Sequence, residues 1–320
     1  MSPAQPCVTL LMAVYNTREF LPRAIESVMA QTMTQWELIC IDDASTDDSL
    51  SILQDYARRD SRIRVIHLDR NSGPSMARNA GLRQSSGKWI TMLDSDDWLS
   101  PDTLELALRC EGHEVDTIML DLVHHYPGQP VKHHYPPEHE GQQLTGEEAF
   151  RLSLDWTLHG LMLVRRELHL RYPYDERLRW YADDDTSRLH LLHSRLMSLS
   201  RGQYHYRHHT QSNTTRVSAQ RFLMLEANWN MLQTLRQEGM PADMLATYQQ
   251  TRWYSFIAYL RLYHIHRCRF TPAERQEIET RFRRLYPTLG RRAPYRLAVF
   301  RQWAGYCVRR LLGQYRHAGE

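Results

Sequence analysis

The chain has 320 residues, of which 42% are hydrophobic and 24% charged, a composition typical of a globular protein with one large domain and an appendage. Its five cysteines are scattered and form no C-x-x-C pair, which indicates a reducing compartment and argues against a structural zinc site. No apolar run approaches the ~20 residues of a membrane span, and Val8–Val14 is too short for a signal peptide. We therefore expect a cytosolic or peripheral protein.

The first half of the sequence alternates between short apolar runs and helical periodicity. Strands separated by helices predict right-handed crossovers and a parallel, doubly wound sheet. A predicted helix at Phe20–Ala30 places Leu21, Ala24, Ile25 and Val28 on one face. The other predicted helices are one capped by Ser45 or Thr46 that runs to about Ala57, one over Ser75–Leu82 and one from about Pro101 to Cys110; the predicted strands are Val8–Val14, Trp36–Ile41, Ile63–His67, Trp89–Leu93 and Thr117–Val123.

Three carboxylates follow the fourth predicted strand, at Asp94, Asp96 and Asp97. They repel one another, so a cation is expected there, and a divalent ion shared between carboxylates and a substrate's phosphates is a common solution. The alternative is a solvated loop in which Ser100 caps the next helix and Pro101 occupies its first position. That cap requires none of the three carboxylates.

Ligands of doubly wound sheets bind at the carboxyl ends of the strands. The residues there are Tyr15 and Asn16, Asp42 and Asp43, and the carboxylates after the fourth strand. Neither G-x-G-x-x-G nor G-x-x-x-x-G-K-[ST] occurs to bind a pyrophosphate through backbone amides. A nucleotide bound through a divalent ion therefore fits this acidic edge.

Four motifs resemble those of the family-2 glycosyltransferases. They are A-V-Y-N at 13–16, I-D-D-A-S-T-D-D-S at 41–49, G-P-S-M-A-R-N-A-G at 73–81 and L-D-S-D-D at 93–97. The resemblance implies an α/β protein of the GT-A fold, with a mostly parallel doubly wound sheet, a Rossmann-like nucleotide-binding half and a helical C-terminal extension. It also implies an inverting enzyme that uses UDP-sugars with Mn²⁺ or Mg²⁺.

The same resemblance implies roles for individual residues. Tyr15 would stack on the nucleotide base, Asp42 would bind its polar edge with Asp43 beside it, and Asp94 would lie near the ribose. Asp96 would bind the metal. Arg78 would lie near the base or phosphates, although a solvated helix face for Arg78 and Asn79 is an alternative. The full predicted nucleotide-binding set is Ala13, Tyr15, Asn16, Glu19, Asp42, Asp43, Arg78, Asp94 and Ser95.

The segment Tyr174–Arg188 resembles the region in which the family carries a Glu-Asp pair whose Asp is the general base. This sequence departs from that pattern. If Tyr181 aligns with the aromatic residue before the pair, Ala182 replaces the Glu and Asp183 is the base; if the frame slips by one residue, Asp184 is the base. Adjacent carboxylates raise one another's pKa, which suits a base. The alternative is an acidic helix start with Asp183 as N-cap.

Histidines are concentrated in two other segments. His124–Thr145 lacks periodicity and predicts a loop over the active site; a metal cluster is conceivable there, but solvated histidines are favoured because the spacings do not suit one helix face. Tyr204–Thr215 resembles the family's strand that leads into a loop over the phosphates, where His208 or His209 could supply a further metal ligand. His209 is the predicted one. The histidines of the first segment are His124, His125, His133, His134 and His139.

From about residue 217 the family pattern ends and helical periodicity follows, so we predict a domain over 1–216 and a helical region over 217–320. The helices are expected at Arg221–Glu238, Ala242–Ile265, Ala273–Leu285 and Pro294–Tyr315. The last is amphipathic and basic, which favours either packing on the core or an anionic membrane surface. Only Glu320 opposes the arginines of the last forty residues, which are Arg281, Arg283, Arg284, Arg291, Arg292, Arg296, Arg301, Arg309, Arg310 and Arg316.

Together these patterns predict a metal-dependent inverting glycosyltransferase that moves a sugar from a nucleoside-diphosphate sugar to a hydroxyl of a glycan or lipid-linked glycan. The expected setting is bacterial surface-glycan synthesis, in the cytoplasm and on the inner face of the membrane. A sugar-nucleotide-binding protein without activity is the alternative, motivated by Ala182. A nucleotidyltransferase would need a glycine-rich loop that Val8–Asn16 lacks, and no nucleic-acid reader motif occurs.

Overall fold

The computed structural model describes residues 6–135, 140–154, 156–178, 181–209 and 217–290. The chain divides into two compact units, with the division between residues 216 and 217. The first unit contains a sheet with helices packed on it, and the described part of the second is helical. Each unit has its own buried apolar cluster.

The first half of unit one is a parallel sheet with helical crossovers. Its strands lie in the order β3-β2-β1-β4, and each neighbouring pair is parallel. All residues of β2 are buried, as are all but one of β1, because helices cover both faces of this part of the sheet. The elements are β1 (Val8–Val14), α1 (Leu21–Met29), β2 (Trp36–Asp42), α2 (Ser49–Arg59), β3 (Ile63–His67), α3 (Pro74–Arg83) and β4 (Trp89–Met92).

The sheet continues through strands of mixed direction in the order β9-β6-β10-β5. The strand β9 is antiparallel to both of its neighbours, β4 and β6, whereas β6 and β10 are parallel. The predicted doubly wound, mostly parallel half is confirmed. The remaining elements of this unit are β5 (Trp98–Leu99), α4 (Thr103–Arg109), β6 (Val115–His125), β7 (Lys132–His133), β8 (Gln143–Thr145), α5 (Gly146–Ser153), β9 (Met162–Arg165), α6 (Arg166–Arg171), α7 (Ala182–Leu192) and β10 (Leu196–Arg207).

Local sequence patterns predicted some elements correctly and misplaced others. Helix α1 buries the four apolar residues expected of it. Helix α2 begins at Ser49 rather than at Ser45 or Thr46, because the amides of Thr46 and Asp47 donate to the Asn16 side chain. The predicted Ser100 cap is wrong, since the Ser100 hydroxyl bonds Gln203 and His205 instead.

The segment predicted as one long loop, His124–Thr145, contains more structure than expected. Strand β6 extends to His125, β7 pairs with it, and β8 pairs with β10. These strands form because they pair with strands distant in the sequence, although the segment itself lacks periodicity. A capping box at Thr145 and Glu148 starts α5 directly after this segment.

The described part of unit two comprises three α-helices: α8 (Met224–Gln237), α9 (Ala242–His266) and α10 (Pro272–Leu285). Short 3₁₀ turns lie at Ala219–Leu223, Arg267–Arg269 and Tyr286–Leu289. Phe222 is fully buried in its core and contacts the rings of Tyr263, Phe270 and Phe282. The predicted helix Pro294–Tyr315 lies outside the described residues. None of the helices that the structure describes is both long and apolar enough to span a membrane.

Three of the arginines counted in the basic C-terminal end are paired within unit two. Arg281 is buried and bonds Glu226 and Glu277, Arg283 pairs with Glu279, and Arg284 pairs with Glu226. The count of charges in the last forty residues did not include these partners. Glu277 and Glu279 lie one helical turn before their arginines, and Glu226 lies more than fifty residues earlier. The basic charge predicted for the C-terminal end therefore rests on the arginines of the sequence beyond residue 290, which lie outside the described residues.

Candidate active site

The carboxyl ends of β2, β1 and β4 meet at one edge of the sheet, because the three strands are parallel neighbours. This edge brings together the segments that follow each strand: Tyr15 and Asn16, Asp43 and Ala44, and 93–97. Side chains from α3, α7 and the end of β10 join them there through the contacts described below. Most of the predicted site residues thus lie along one acidic rim.

Asp42 ends β2 and is completely buried. Its Oδ2 atom accepts hydrogen bonds from the amide of Ser45, at 3.3 Å, and from Nδ1 of His67, at 2.8 Å. Its Oδ1 atom has no hydrogen-bond partner among the described residues. Buried carboxylate oxygens normally have partners, so this atom is a candidate acceptor for a ligand's N–H. His67 was not predicted from the sequence.

Asp43 and Asn16 hold loops of the site together. The Asp43 carboxylate accepts the amides of Ser72 and Gly73 at 2.7 and 2.8 Å, which fixes the turn before α3. Gly73 has a φ of 92° there, a conformation that favours glycine. The Asn16 side-chain oxygen accepts the amides of Thr46 and Asp47. Both predicted nucleotide-binding side chains therefore use their polar atoms to position neighbouring backbone.

The remaining predicted nucleotide residues differ in exposure. Tyr15 is 47% exposed directly after β1, which leaves part of its ring available for stacking. Glu19 is exposed, whereas Ala13 is half-buried and Ser95 is buried. Their position near the strand ends agrees with the motif order, but only Tyr15 presents a large flat surface.

Arg78, on α3, is buried and bridges two carboxylates. Its guanidinium donates to Asp94 Oδ1 at 2.8 Å and lies 3.9 Å from Asp183 Oδ2. Burial alone lowers an arginine pKa, but the two carboxylates outweigh it and raise the pKa of Arg78, so the group stays charged. Asn79 is also buried and bonds the backbone of Tyr174. The alternative of a solvated helix face is wrong for both residues.

The three carboxylates after β4 have separate partners. Asp97 is buried and accepts from the Tyr204 hydroxyl, at 2.8 Å, and from the Arg207 amide, at 2.7 Å. Asp94 pairs with Arg78. Asp96 Oδ2 lies 2.8 Å from Nε2 of His209, which follows β10. Burial and the Asp94 charge raise the pKa of Asp96. The expected cluster of three therefore resolves into one structural carboxylate, one salt bridge and one carboxylate–imidazole pair.

The Asp96–His209 pair has the donor types that a divalent ion requires. One carboxylate oxygen and one imidazole nitrogen, each only partly exposed, converge from two segments of the chain. The carboxylate is the ligand type that Mn²⁺ and Mg²⁺ prefer, and the imidazole is a secondary ligand for either ion. Arg207 lies beside the pair, donating to the Asp96 carbonyl while its guanidinium stacks over Phe20 and Trp98. These residues fit the metal that the motif predicts.

The acidic segment 183–185 forms the first turn of α7. Tyr181 precedes the helix with a φ of 68° and takes the N-cap position, so the expectation of Asp183 as N-cap is wrong. Asp185 is buried, 3.7 Å from Arg188. Asp183 is partly exposed and faces Arg78. Burial and the Asp183 charge raise the pKa of Asp184 to about 7.

This combination of a Rossmann-like half-sheet, a mixed second half and an acidic edge at the strand ends defines a GT-A protein. A sequence model described as "Glycosyl transferase family 2" matches residues 9–170, which is half of the chain. The chain belongs to glycosyl transferase family 2.

Known proteins agree with this assignment. The chain is 31% identical over 237 residues to EpsH of Bacillus subtilis (strain 168), named as a glycosyltransferase; the match covers 68% of this chain and 65% of EpsH. A structure of S. aureus TarS 1-349 in complex with UDP-GlcNAc aligns with a TM-score of 0.62 at 19% identity, covering 80% of this chain and 72% of that one. The mannosyltransferase PcManGT from Pyrobaculum calidifontis, in complex with GDP-Man and Mn²⁺, aligns with a TM-score of 0.57 at 15% identity, covering 98% and 89%.

The two structural likenesses show the fold. The matches to the first curated relatives span between 34% and 65% of the length of those proteins. What this chain binds and transfers is therefore argued below from its own residues.

The Asp184 carboxyl gives a stability prediction. Its pKa is raised from about 3.9 in an unfolded chain to about 7 in the fold, so between these values the folded state holds a proton that the unfolded state has lost. Stability should fall as pH rises through this window. Asp184→Asn cannot ionise, and thermal unfolding should show it more stable than the parent at pH 8 and similar to it near pH 4.

Asp60→Asn is the matched control. A hydrogen bond from Arg62 lowers the pKa of Asp60, so its charged form is the stabilising one. This variant should lose stability at pH 8 and change little at low pH. A melting temperature of Asp184→Asn at or below that of the parent at pH 8 would contradict the proposed environment of Asp184.

Proposed function

We propose that the chain is a metal-dependent inverting glycosyltransferase. It transfers a sugar from a nucleoside-diphosphate sugar, foremost a UDP-sugar, to a hydroxyl of a glycan or lipid-linked glycan. The observation that carries the proposal is the bridge from Asp94 through Arg78 to Asp183, at the same sheet edge as the Asp96–His209 pair. The bridge connects Asp94, which is predicted to lie near the nucleotide, to Asp183, the candidate base. Both lie at the same edge as the candidate metal ligands.

The nucleotide base lies against the ends of β1 and β2. Tyr15 offers a stacking surface, and the unpartnered Oδ1 of Asp42 accepts an N–H from the base edge. Because His67 and the Ser45 amide hold the other oxygen, the carboxylate is already oriented before the ligand binds. Both uracil and guanine present such an N–H. The TarS complex with UDP-GlcNAc supports uracil, and the PcManGT complex with GDP-Man keeps guanine as the alternative.

Asp96 and His209 would hold Mn²⁺ or Mg²⁺, with the carboxylate as the main ligand. When bound, the ion neutralises the negative charge that develops on the leaving diphosphate. Arg207 adds a fixed positive charge at the same place, because its stacking on Phe20 and Trp98 limits its movement. The Mn²⁺ in the PcManGT complex supports the choice of manganese.

Asp183 is the proposed base. It removes the proton of the acceptor hydroxyl, whose oxygen forms a bond to the anomeric carbon while the bond from that carbon to the diphosphate oxygen breaks. Attack from the face opposite the leaving group inverts the configuration. Asp183 is favoured over Asp184 because it faces Arg78, which connects it to the donor side through Asp94. Asp184, with its raised pKa, is the second candidate.

A sugar-nucleotide-binding protein without transferase activity is the competing proposal. It rests on Ala182, which is buried at the start of α7 and which takes the place of the family's glutamate if Tyr181 aligns with the family's aromatic residue. A protein of this kind would bind the nucleotide and never release the free sugar or transfer it. Slow hydrolysis of a labelled sugar nucleotide in water separates the two proposals.

The acceptor is proposed to lie at a membrane. Seven arginines between residues 291 and 316 face a single Glu320 in the sequence, which would attract an anionic lipid surface. Arg281, Arg283 and Arg284 contribute less, because glutamates of unit two pair with them. An enzyme on the inner face of a bacterial membrane would meet lipid-linked glycan acceptors there.

Asp96→Asn tests the metal site. An amide cannot supply the charge of the carboxylate, so the melting-temperature increase caused by UDP with Mn²⁺ should disappear while the fold is retained. Asp102→Asn, at an exposed carboxylate, is the control and should keep the full increase. If Asp96→Asn responds to UDP and Mn²⁺ like the parent, the metal does not bind at Asp96.

Asp183→Asn and Asp184→Asn test the base. The variant that lacks the base should lose about 10²–10⁴ in turnover and bind UDP normally, since the base contacts the acceptor. We expect this result for Asp183→Asn and a smaller loss for Asp184→Asn. Equal, modest losses would mean that the base lies elsewhere, and a parent protein that neither transfers nor hydrolyses the donor would favour the binding-only proposal.

Sedimentation with anionic vesicles tests the membrane proposal. Binding should fall steeply with salt, because charge attraction is screened within a Debye length of roughly 10 Å at 0.1 M. Replacing Arg291, Arg292, Arg309 and Arg310 by glutamine should abolish it, whereas glutamine at the paired Arg283 and Arg284 should change it little. A full-length protein that ignores anionic vesicles at low salt would rule out this mode of docking.

A further inference from the structure

Three histidines outside the proposed donor site converge at the end of β6. They are His124 at the end of that strand, His134 just after β7, and His159 in the turn before β9. One ring nitrogen of each lies within 4.8 Å of the others, and all three side chains are partly exposed. Their separation in sequence, up to 35 residues, explains why spacing along one helix could not reveal them.

The backbones that carry the three rings are fastened to one another. The His134 amide donates to the Leu122 carbonyl at 3.0 Å, which ties it to β6. The buried hydroxyl of Tyr135 donates to the His159 carbonyl and accepts the His159 amide, at 2.5 and 2.7 Å. The convergence therefore does not depend on the side chains alone, and the positions are organised before any ligand binds.

Hydrogen bonds on the far side of the rings set which nitrogen can act as a ligand. Nδ1 of His159 bonds the Trp156 carbonyl at 2.9 Å, and Nε2 of His134 lies 3.3 Å from the Thr157 carbonyl. A ring nitrogen that donates to a carbonyl carries the proton, so in a neutral ring the other nitrogen has the free lone pair. This leaves Nε2 of His159 and Nδ1 of His134 as ligand atoms.

The third ring has a comparable partner. Nδ1 of His124 lies 3.0 Å from Nε2 of His208, whose ring stacks on Tyr126 at 3.8 Å between centroids. With the shared proton on His124 Nδ1, its Nε2 is the ligand atom. Metal-bound histidines typically donate their second N–H to such a partner.

We propose that His124, His134 and His159 bind a Zn²⁺ ion, at a site separate from the donor-metal site at Asp96 and His209. Three neutral imidazoles suit Zn²⁺, whereas Mg²⁺ and Mn²⁺ prefer oxygen ligands. A water molecule or an acceptor oxygen completes the tetrahedron from the exposed side. The ion joins the end of β6 to the two loops that carry His134 and His159. The proposal is independent of the transferase assignment.

Zn²⁺ binding to the untagged, metal-stripped full-length protein tests the proposal. A chromophoric chelator competition should show one tight Zn²⁺ site, and Co²⁺ in its place should give the intense visible absorption of a tetrahedral complex. Zn²⁺ should raise the melting temperature more than Mg²⁺ does. His159→Gln and His134→Gln should each remove the tight site and the Co²⁺ spectrum.

Two controls separate this site from others. His113→Gln, at an exposed histidine outside the cluster, should keep the tight site. Asp96→Asn should also keep it, because that variant affects only the donor metal. The proposal fails if the parent binds no Zn²⁺ tightly, or if tight binding survives both cluster variants in folded protein, as judged by circular dichroism. Loss of the tight site in Asp96→Asn alone would assign the Zn²⁺ to the donor site and likewise overturn it.

Discussion

The buried guanidinium of Arg78 is the constraint on which the site depends. A charge taken out of water is unfavourable unless anions compensate it. Arg78 sits on α3, while its partners Asp94 and Asp183 come from the end of β4 and from α7. The salt bridges therefore fix three elements, distant in sequence, at one point. A candidate base on a separate helix is held beside the donor edge by charge compensation.

Around that point, several polar motif residues act on backbone rather than on ligand. Asn16 accepts two amides of the loop after β2, Asp43 accepts two amides of the turn before α3, and Asn79 bonds the backbone at Tyr174. Loops that carry binding residues need such support, because loop backbone has few partners of its own. A motif can therefore be characteristic of a binding site although only some of its side chains face the ligand. Asp42 keeps one buried carboxylate oxygen without a partner among the described residues, and Tyr15 keeps an exposed ring.

How much of this was predictable from the sequence depended on the range of the interactions. The strands β1 to β4 and the buried face of α1 follow from local apolar patterns, and all were predicted nearly to the residue. Three features depend on partners tens of residues away and were predicted wrongly. They are the start of α2, the role of Ser100 and the strands within 124–145. Asp96 and His209 were both predicted as metal ligands, but the contact between their side chains was not predicted. The burial of Arg78 and the structural use of Asp97 by Tyr204 required the tertiary fold.

The histidines belong to both proposed metal sites, which residue type alone could not separate. Scattered cysteines argued against structural zinc, yet that argument concerns thiolate sites and does not extend to imidazoles. His208 and His209 are neighbours in the chain, but one orients His124 while the other contacts Asp96. Adjacent residues of an extended segment point in opposite directions, so one strand end can serve two sites. The Asp96–His209 pair and the group of three histidines lie next to the same segment. They differ in ligand type, so the first suits an ion that prefers oxygen ligands and the second an ion that prefers nitrogen ligands.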